Sequence, residues 1–147
     1  MAGCGFTLRG VLPMTFSSIA LVGFAPRSSL ERIVREQLAQ SVRIEAAPAR
    51  AEVVLQALND SRERVAVVTT ASGQVRELQL RVRLTWRAST PQGRVLVDAQ
   101  ELLLTRDMTF SETATLAKEK EAEVLFAAMD DDIANQIMRR LASLKMA

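Results

Sequence analysis

The stretch RELQLRVRLTWR, residues 76–87, decides the fold of this chain. Apolar side chains alternate with polar ones along it, and the apolar positions are Leu78, Leu80, Val82, Leu84 and Trp86. Successive side chains of a β-strand point to opposite faces of the sheet, so this period of two predicts a half-buried strand. One face should join the core, and the other should carry Arg81, Arg83 and Arg87.

Turn sequences flank this strand and predict an antiparallel neighbour on each side. The sequences ASGQ before it and TPQG after it have the residue types of tight turns. We therefore predict strands at 52–70 and 94–107, which would form a three-stranded meander with 76–87. The sequence NDS at 59–61 interrupts the first of them as either a bulge or a turn, and we favour one long bulged strand.

Three further segments have recognisable patterns. An apolar run at 17–25, ended by a proline, predicts a strand buried on both faces. Ser28 followed by Glu31 is a capping-box pattern, and the apolar spacing after it predicts a helix over 28–40. A longer stripe predicts a second helix over about 113–144, with the members Ala122, Leu125, Phe126, Met129, Ile133, Ile137, Leu141 and Leu144.

These elements predict an α+β fold. Their order, β-α-β-β-β-α, is typical of a two-layer sandwich, in which a four-stranded, mostly antiparallel sheet carries two helices on one face. The chain has 147 residues, of which 48% are hydrophobic and 24% charged, and no linker divides it. We expect one α+β domain over 17–147.

Composition narrows the function. The chain has no histidine and no tyrosine, which removes the commonest general base and most zinc-binding patterns. This composition argues against hydrolases and metalloenzymes, and we expect no enzyme, no catalytic residue, no metal and no cofactor. Sixteen arginines stand against three lysines, and the planar arginine fork suits phosphate and carboxylate groups. No run of 18 apolar residues is present to suggest a membrane-spanning helix.

The row of Arg81, Arg83 and Arg87 allows two interpretations. It can be a solvated sheet face, whose arginines pair with acidic residues on neighbouring strands. It can also be a docking surface for an anionic partner or for the polar interior of a partner protein. Nucleic acid is one such partner, although the chain is only 4% aromatic and its single Trp86 lies on the apolar side.

Cys4 is the only cysteine of the chain, so it either pairs outside the chain or is modified. The segments CGFTLRG, SSIALVGFAPRSSLERIVREQLAQ and ATLAKEKEAEVLFAAMDDDIANQIMRRL resemble, in the same order, the LPS-assembly lipoprotein family known as LptE. The turn at Ser72-Gly73-Gln74 fits the same pattern, and the resemblance covers nearly the whole chain.

The resemblance implies a lipid anchor and a partner. Ala2-Gly3-Cys4 matches the end of a bacterial lipobox, which implies that Cys4 is acylated and holds the chain to the outer membrane from its periplasmic side. Residues 1–16 would then form a lipobox remnant and anchor segment ahead of the domain. Members of the family plug the β-barrel LPS translocon, LptD, and bind lipopolysaccharide during its assembly into the outer leaflet.

The resemblance also implies LPS-binding residues. The lysine of the family's LAK segment matches Lys118, whereas a basic residue at the family's hairpin tip falls on Ala71. That contact is therefore either absent or supplied by a neighbour such as Arg62, Arg64 or Arg76. Two alternatives stay open: a purely structural plug without a ligand site, and, from another class, a nucleic-acid-binding α+β module that uses the basic sheet face. The resemblance to the LptE family implies no nucleic-acid partner.

Overall fold

The computed structural model describes residues 12–146, which form one five-stranded sheet and two α-helices. The elements in chain order are β1 (Ser18–Val22), α1 (Ser29–Leu38), β2 (Arg43–Ile44), β3 (Val53–Thr69), β4 (Val75–Ser89), β5 (Val95–Thr109) and α2 (Thr115–Ala142). Short 3-10 turns at Pro48–Arg50 and Glu112–Ala114 precede β3 and α2. The predicted α+β fold with two helices is confirmed.

The strand order across the sheet is β2-β1-β3-β4-β5. β1 pairs in parallel with β2 and β3, whereas β3, β4 and β5 form the predicted antiparallel meander. The predicted count of four strands is wrong, because β2 adds a fifth. β2 is only two residues long, and backbone bonds from Arg43 N–H to the Ser17 carbonyl and from Glu45 N–H to the Ile19 carbonyl hold it. So short a strand shows no periodicity in the sequence.

The alternation of apolar and polar residues along β4 buries one face of the strand, as predicted. Leu80, Val82 and Leu84 are fully buried and Trp86 is 1% exposed, and all four lie on the face that the helices cover. The helices contribute Leu30, Val34 and Leu38 from α1 and, from α2, Ala122, Phe126, Met129, Ile133, Ala134, Ile137, Met138 and Leu141. These side chains form one contiguous apolar layer between sheet and helices, which is the main source of stability.

The start of α1 is capped on one side only. The Ser28 hydroxyl accepts a hydrogen bond from the Glu31 N–H at 3.1 Å, as the sequence predicts. The Glu31 carboxylate, however, forms an ion pair with Arg35 at 3.0 Å, and the Ser28 N–H donates to the Ala25 carbonyl instead. The capping box is therefore half formed.

A β-bulge at Leu58 decides which side chains of β3 face the helices. Ala57 lies opposite Trp86, but Asn59, two residues on, lies opposite Thr85, which is only one residue back along β4. Paired residues of antiparallel strands share a face, so the bulge moves the helix-facing set of β3 from odd to even positions. The predicted long bulged strand is confirmed, because β3 continues unbroken from Val53 to Thr69.

Strand β1 ends earlier than predicted, at Val22 rather than residue 25. Gly23 follows it with φ +84°, a conformation that L side chains rarely adopt. A Cβ placed on Gly23 would lie 2.2 Å from the Ala57 carbonyl oxygen. Glycine is therefore required both by the backbone angle and by the close passage of β3.

We expect Gly23→Ala to lower the free energy of unfolding by about 3 kcal/mol, since positive φ and overpacking both contribute. Gly93→Ala is the matched control, because Gly93 also has positive φ, +100°, but its added Cβ would meet nothing within 4 Å. The control should lose only about 1–2 kcal/mol. Urea denaturation of both variants measures the difference, and equal losses would contradict the steric account of Gly23.

Candidate functional site

A groove of about 440 Å³ lies where β3 passes beneath α1 and α2. Its lining residues are Ser29, Arg32, Ile33, Arg62, Glu63, Arg64, Glu123, Phe126, Ala127 and Asp130. Arg62 and Arg64, called here the helix-side arginines, face it because the Leu58 bulge pairs them with the buried Val82 and Leu80. Three of the lining residues are cationic and three are acidic, so the groove is balanced in charge.

The deepest feature of the groove is an ion pair between Arg62 and Asp130. The Arg62 Nη2 atom lies 2.8 and 2.9 Å from the two carboxylate oxygens of Asp130, whose side chain is 1% exposed. The Ser29 hydroxyl, at the start of α1, donates to Asp130 at 2.8 Å. One carboxylate thus joins β3, α1 and α2. A buried carboxylate needs such partners, since an uncompensated charge there is costly.

Both helix-side arginines also contact the ring of Phe126. Their guanidinium carbons lie 5.0 Å (Arg62) and 5.7 Å (Arg64) from the ring centroid, within the range of cation–π attraction. Arg64 donates from Nη1 to both carboxylate oxygens of Glu119, at 2.9 and 2.8 Å. The two guanidinium groups are therefore engaged within the fold, and their predicted role in LPS binding stays a prediction.

A second pair of cations, called here the end pair, lies at the far end of the sheet, next to the start of α2. Lys118 Nζ donates to the Thr109 hydroxyl at 2.8 Å and to Glu121 at 3.0 Å. The neighbouring Phe110 N–H donates to the carbonyl of Arg76, the other member of the pair. Both residues thus contact the end of β5, Lys118 through its side chain at Thr109 and Arg76 through its backbone carbonyl at Phe110. The exposed Arg76 side chain forms no hydrogen bond or ion pair with residues 12–146.

The hairpin between β3 and β4 extends past this end. Thr70 and Gln74 close its tip by a backbone bond of 2.8 Å, and Gly73 supplies the positive φ of +88°. Ala71, where the family resemblance predicts a basic residue, is exposed at this tip and carries no charge. Arg76 is only two residues beyond Gln74 and is the predicted cation nearest to the tip in sequence.

Arg81, Arg83 and Arg87, the outer-face arginines, lie on the sheet face opposite the helices. Arg87 Nε donates to Gln56 at 2.9 Å, and Arg81 Nε donates to Gln79 at 2.7 Å. Glu63 lies 3.9 Å from Arg81, and Glu101 lies 3.4 Å from Arg83 Nε in a direction unsuited to a hydrogen bond. Acidic and amide groups of β4 itself and of the neighbouring strands therefore surround this row, as the solvated-face interpretation predicts.

Two remaining expectations concern anchoring and metals. Cys4 lies outside the described residues. Within the part of the chain that the structure describes, no helix has both the length and the apolar character that a membrane crossing needs. The same residues contain no cluster of three or more cysteine, aspartate or glutamate side chains placed to hold a metal ion.

The fold is a small α+β module, and among residues 12–146 its cations are grouped at the helix-side groove, at the end pair and on the outer sheet face. The family model for LptE, described as Lipopolysaccharide-assembly, matches residues 16–141. The chain is 32% identical to the LPS-assembly lipoprotein LptE of Yersinia enterocolitica, over 95% of this chain and 69% of the relative. It is also 32% identical to that of Pectobacterium atrosepticum, over 97% and 79%.

The solution NMR structure of uncharacterized lipoprotein B from Nitrosomonas europaea is similar to 90% of this chain and 86% of that chain. Its TM-score is 0.77 at 24% identity, which establishes a shared fold. The chain belongs to the LptE family of lipopolysaccharide-assembly lipoproteins. This membership assigns it a role in the assembly of lipopolysaccharide.

Sequence reasoning missed Asp130, although a signal for it exists. Asp130 follows Phe126 by four residues and precedes Ile133 by three, so it falls on the buried stripe of α2. An acidic residue on an apolar face is unusual and predicts a buried cationic partner. Ser29 and Thr109 gave no such signal, because their partners Asp130 and Lys118 are determined by tertiary packing.

We expect Asp130→Asn to lower the free energy of unfolding by about 2 kcal/mol. Breaking a buried ion pair typically costs more, but the Arg62 side chain is 35% exposed and can be partly solvated after the change. Asp132→Asn is the matched control, since Asp132 pairs with Arg106 at 3.6 Å and both side chains are 44% exposed. The control should lose under about 1 kcal/mol. Urea midpoints that coincide for the two variants would contradict the role given to Asp130.

Proposed function

We propose that this chain is a non-enzymatic outer-membrane lipoprotein that binds lipopolysaccharide through the end pair, Arg76 and Lys118. The carrying observation is that Thr109, the last residue of β5, accepts a hydrogen bond from Lys118 Nζ, and that the next residue, Phe110, donates its N–H to the Arg76 carbonyl at the same end of the sheet. Lys118 is fixed by the Thr109 hydroxyl and by Glu121, whereas the side chain of Arg76 has no partner among residues 12–146. A preplaced ammonium and an unpaired guanidinium at the same end of the sheet suit the phosphate groups of LPS.

The helix-side arginines have a different role in this proposal. Arg62 and Arg64 donate to both carboxylate oxygens of Asp130 and Glu119, respectively, whereas Lys118 contacts a single oxygen of Glu121, so a phosphate would displace a stronger pairing at the helix-side arginines. We propose that they position α2 on β3 and thereby position Lys118, which lies one residue before Glu119. Their contribution to LPS binding is thus indirect.

We further propose that the partner is the LptD β-barrel and that the outer face of the sheet docks against its lumen. The outer-face arginines, with Gln56, Glu63, Gln79 and Glu101, make this face polar and mixed in charge. The interiors of such barrels are polar, so a surface of this kind is compatible with them. The same pairing of arginine with acidic residues gives no support to a nucleic-acid function, which we do not propose.

The proposed anchor is Cys4, acylated on the periplasmic side of the outer membrane. Each buried methylene contributes about 0.8 kcal/mol, so one acyl chain binds only marginally and several hold durably. With the anchor at one end of the chain and LPS at the end pair, the domain would be held where LPS reaches the outer membrane.

Charge reversal tests the ligand site. We expect Lys118→Glu or Arg76→Glu to weaken binding of purified LPS by about tenfold or more at moderate salt, because each variant replaces a phosphate contact with repulsion. Lys120→Glu is the matched control: Lys120 is exposed on the same helix and forms no ion pair or hydrogen bond with residues 12–146. It should change the affinity less than about threefold.

Two outcomes of this titration would count against the proposed site. Equal losses in all three variants would mean that only the overall charge matters. Unchanged LPS affinity in both Lys118→Glu and Arg76→Glu would support the purely structural plug instead. Folding of each variant is checked by its urea midpoint, since Lys118 also contacts Thr109.

A further inference from the structure

A second cavity, of about 340 Å³, lies at the opposite end of α2 from Lys118. β4 and β5 supply Trp86 and Gln100 to it, and the last turns of α2 with the residue that follows supply Gln136, Arg139, Arg140 and Ser143. Arg139 lies twenty-one positions after Lys118 on the same helix, which corresponds to about 32 Å at 1.5 Å per residue. The cavity is therefore separate from the end pair.

Trp86 lines this cavity, and its indole N–H forms no hydrogen bond with residues 12–146. Trp86 is 1% exposed, and its Nε1 atom is buried without a hydrogen-bond partner among residues 12–146. Buried N–H groups without an acceptor are rare in folded proteins. Gln100 lies directly opposite Trp86 on β5, yet its side chain does not accept this hydrogen bond. The indole N–H thus has no acceptor among residues 12–146, while Trp86 itself lines the cavity.

The charges around the cavity have one sign. Arg139 forms no ion pair or hydrogen bond with residues 12–146, and Arg140 donates to the Ser143 hydroxyl at 3.1 Å. That hydroxyl in turn donates to the Arg140 carbonyl at 2.7 Å, so it offers no proton to a ligand. None of the lining residues is acidic.

The negative pole at the C-terminal end of α2 offsets only part of this positive charge. The C-terminal pole of an α-helix is equivalent to about −0.5 of an elementary charge, which cations in the last turn offset. Arg139 and Arg140 carry two full charges, so they exceed the charge of the helix pole. This excess of positive charge and the indole N–H without an acceptor together favour an anion with several acceptor oxygens.

We propose that this cavity binds a phosphate group, with the guanidinium groups of Arg139 and Arg140 as its charged contacts and the Trp86 indole as a hydrogen-bond donor. The site is additional to the proposed LPS contact at the end pair and does not depend on it. A phosphate group can reach it as a free phosphate or as a lipid headgroup.

Trp86 is the only tryptophan of the chain, so its indole N–H gives a single cross-peak in a ¹H–¹⁵N spectrum. The test titrates the full chain with inorganic phosphate at pH 7 and constant ionic strength, with chloride as the matched salt. We expect a saturable shift of the indole cross-peak with phosphate and none with chloride. A second titration with a short-chain phosphatidic acid, below its micelle concentration, separates the two sources, since tighter binding than phosphate assigns the site to a lipid headgroup and equal binding to the phosphate alone.

Variants decide whether the shift reports this cavity. Arg139→Gln and Arg140→Gln should each weaken the phosphate affinity by about tenfold, because each removes a charge-assisted contact. Lys120→Gln removes the same charge from the other end of α2 and should leave the affinity within about twofold. A shift that does not saturate, or one that is equal in the three variants, would mean an adventitious ion only and would overturn the proposal. No shift with either phosphate source would also overturn it.

Discussion

The register of β3 against β4 across the bulge at Leu58 is the constraint on which the candidate site depends. The buried alternation of Leu80, Val82 and Leu84 fixes which face of β4 the helices cover. The extra residue in β3 then places Arg62 and Arg64 on that same face, opposite Val82 and Leu80. Without the bulge, the period of two would turn Arg62 to the outer face. The extra residue, Leu58, thus allows Arg62 and Arg64 to form ion pairs with acidic residues of α2, which hold the sheet to this helix.

The ion pair of Arg62 with Asp130 extends this constraint to the helices. Asp130 also accepts from Ser29 at the start of α1, so one buried carboxylate aligns both helices on β3. With α2 fixed, Lys118 near its start reaches Thr109, and Arg139 and Arg140 near its end reach the cavity beside Trp86. The long helix therefore carries a cationic group at each end, while the outer face keeps its arginines among acids and amides. The helix-end cations and the mixed outer face therefore differ in chemistry, which fits the proposed contacts with a lipid ligand and a protein partner.

Much of this fold follows from the sequence, because β4, the bulged β3 and the stripe of α2 have strong periods. The elements that the sequence did not reveal depend on contacts between distant residues. β2 is two residues long and exists because Ser17 and Ile19 accept its backbone bonds. The cations themselves were found from the sequence, but their grouping was not. Arg62, Arg64 and Arg76 were named together as candidates for the charge missing at Ala71, whereas the Leu58 bulge places Arg62 and Arg64 under α2 and leaves Arg76 as the member of the end pair. Asp130 is the exception, since its place on an apolar stripe was visible in the sequence.

The most direct test of the account is to isolate the full-length protein, tagged at its C-terminus, from the outer membrane of its own host in mild detergent. Mass spectrometry then identifies the co-purifying proteins and the modification of Cys4. The account predicts a large β-barrel protein in near-equal amount, together with an N-terminal peptide that carries lipid on Cys4. Recovery from the cytoplasm, with an unmodified thiol and without a barrel protein, would contradict it.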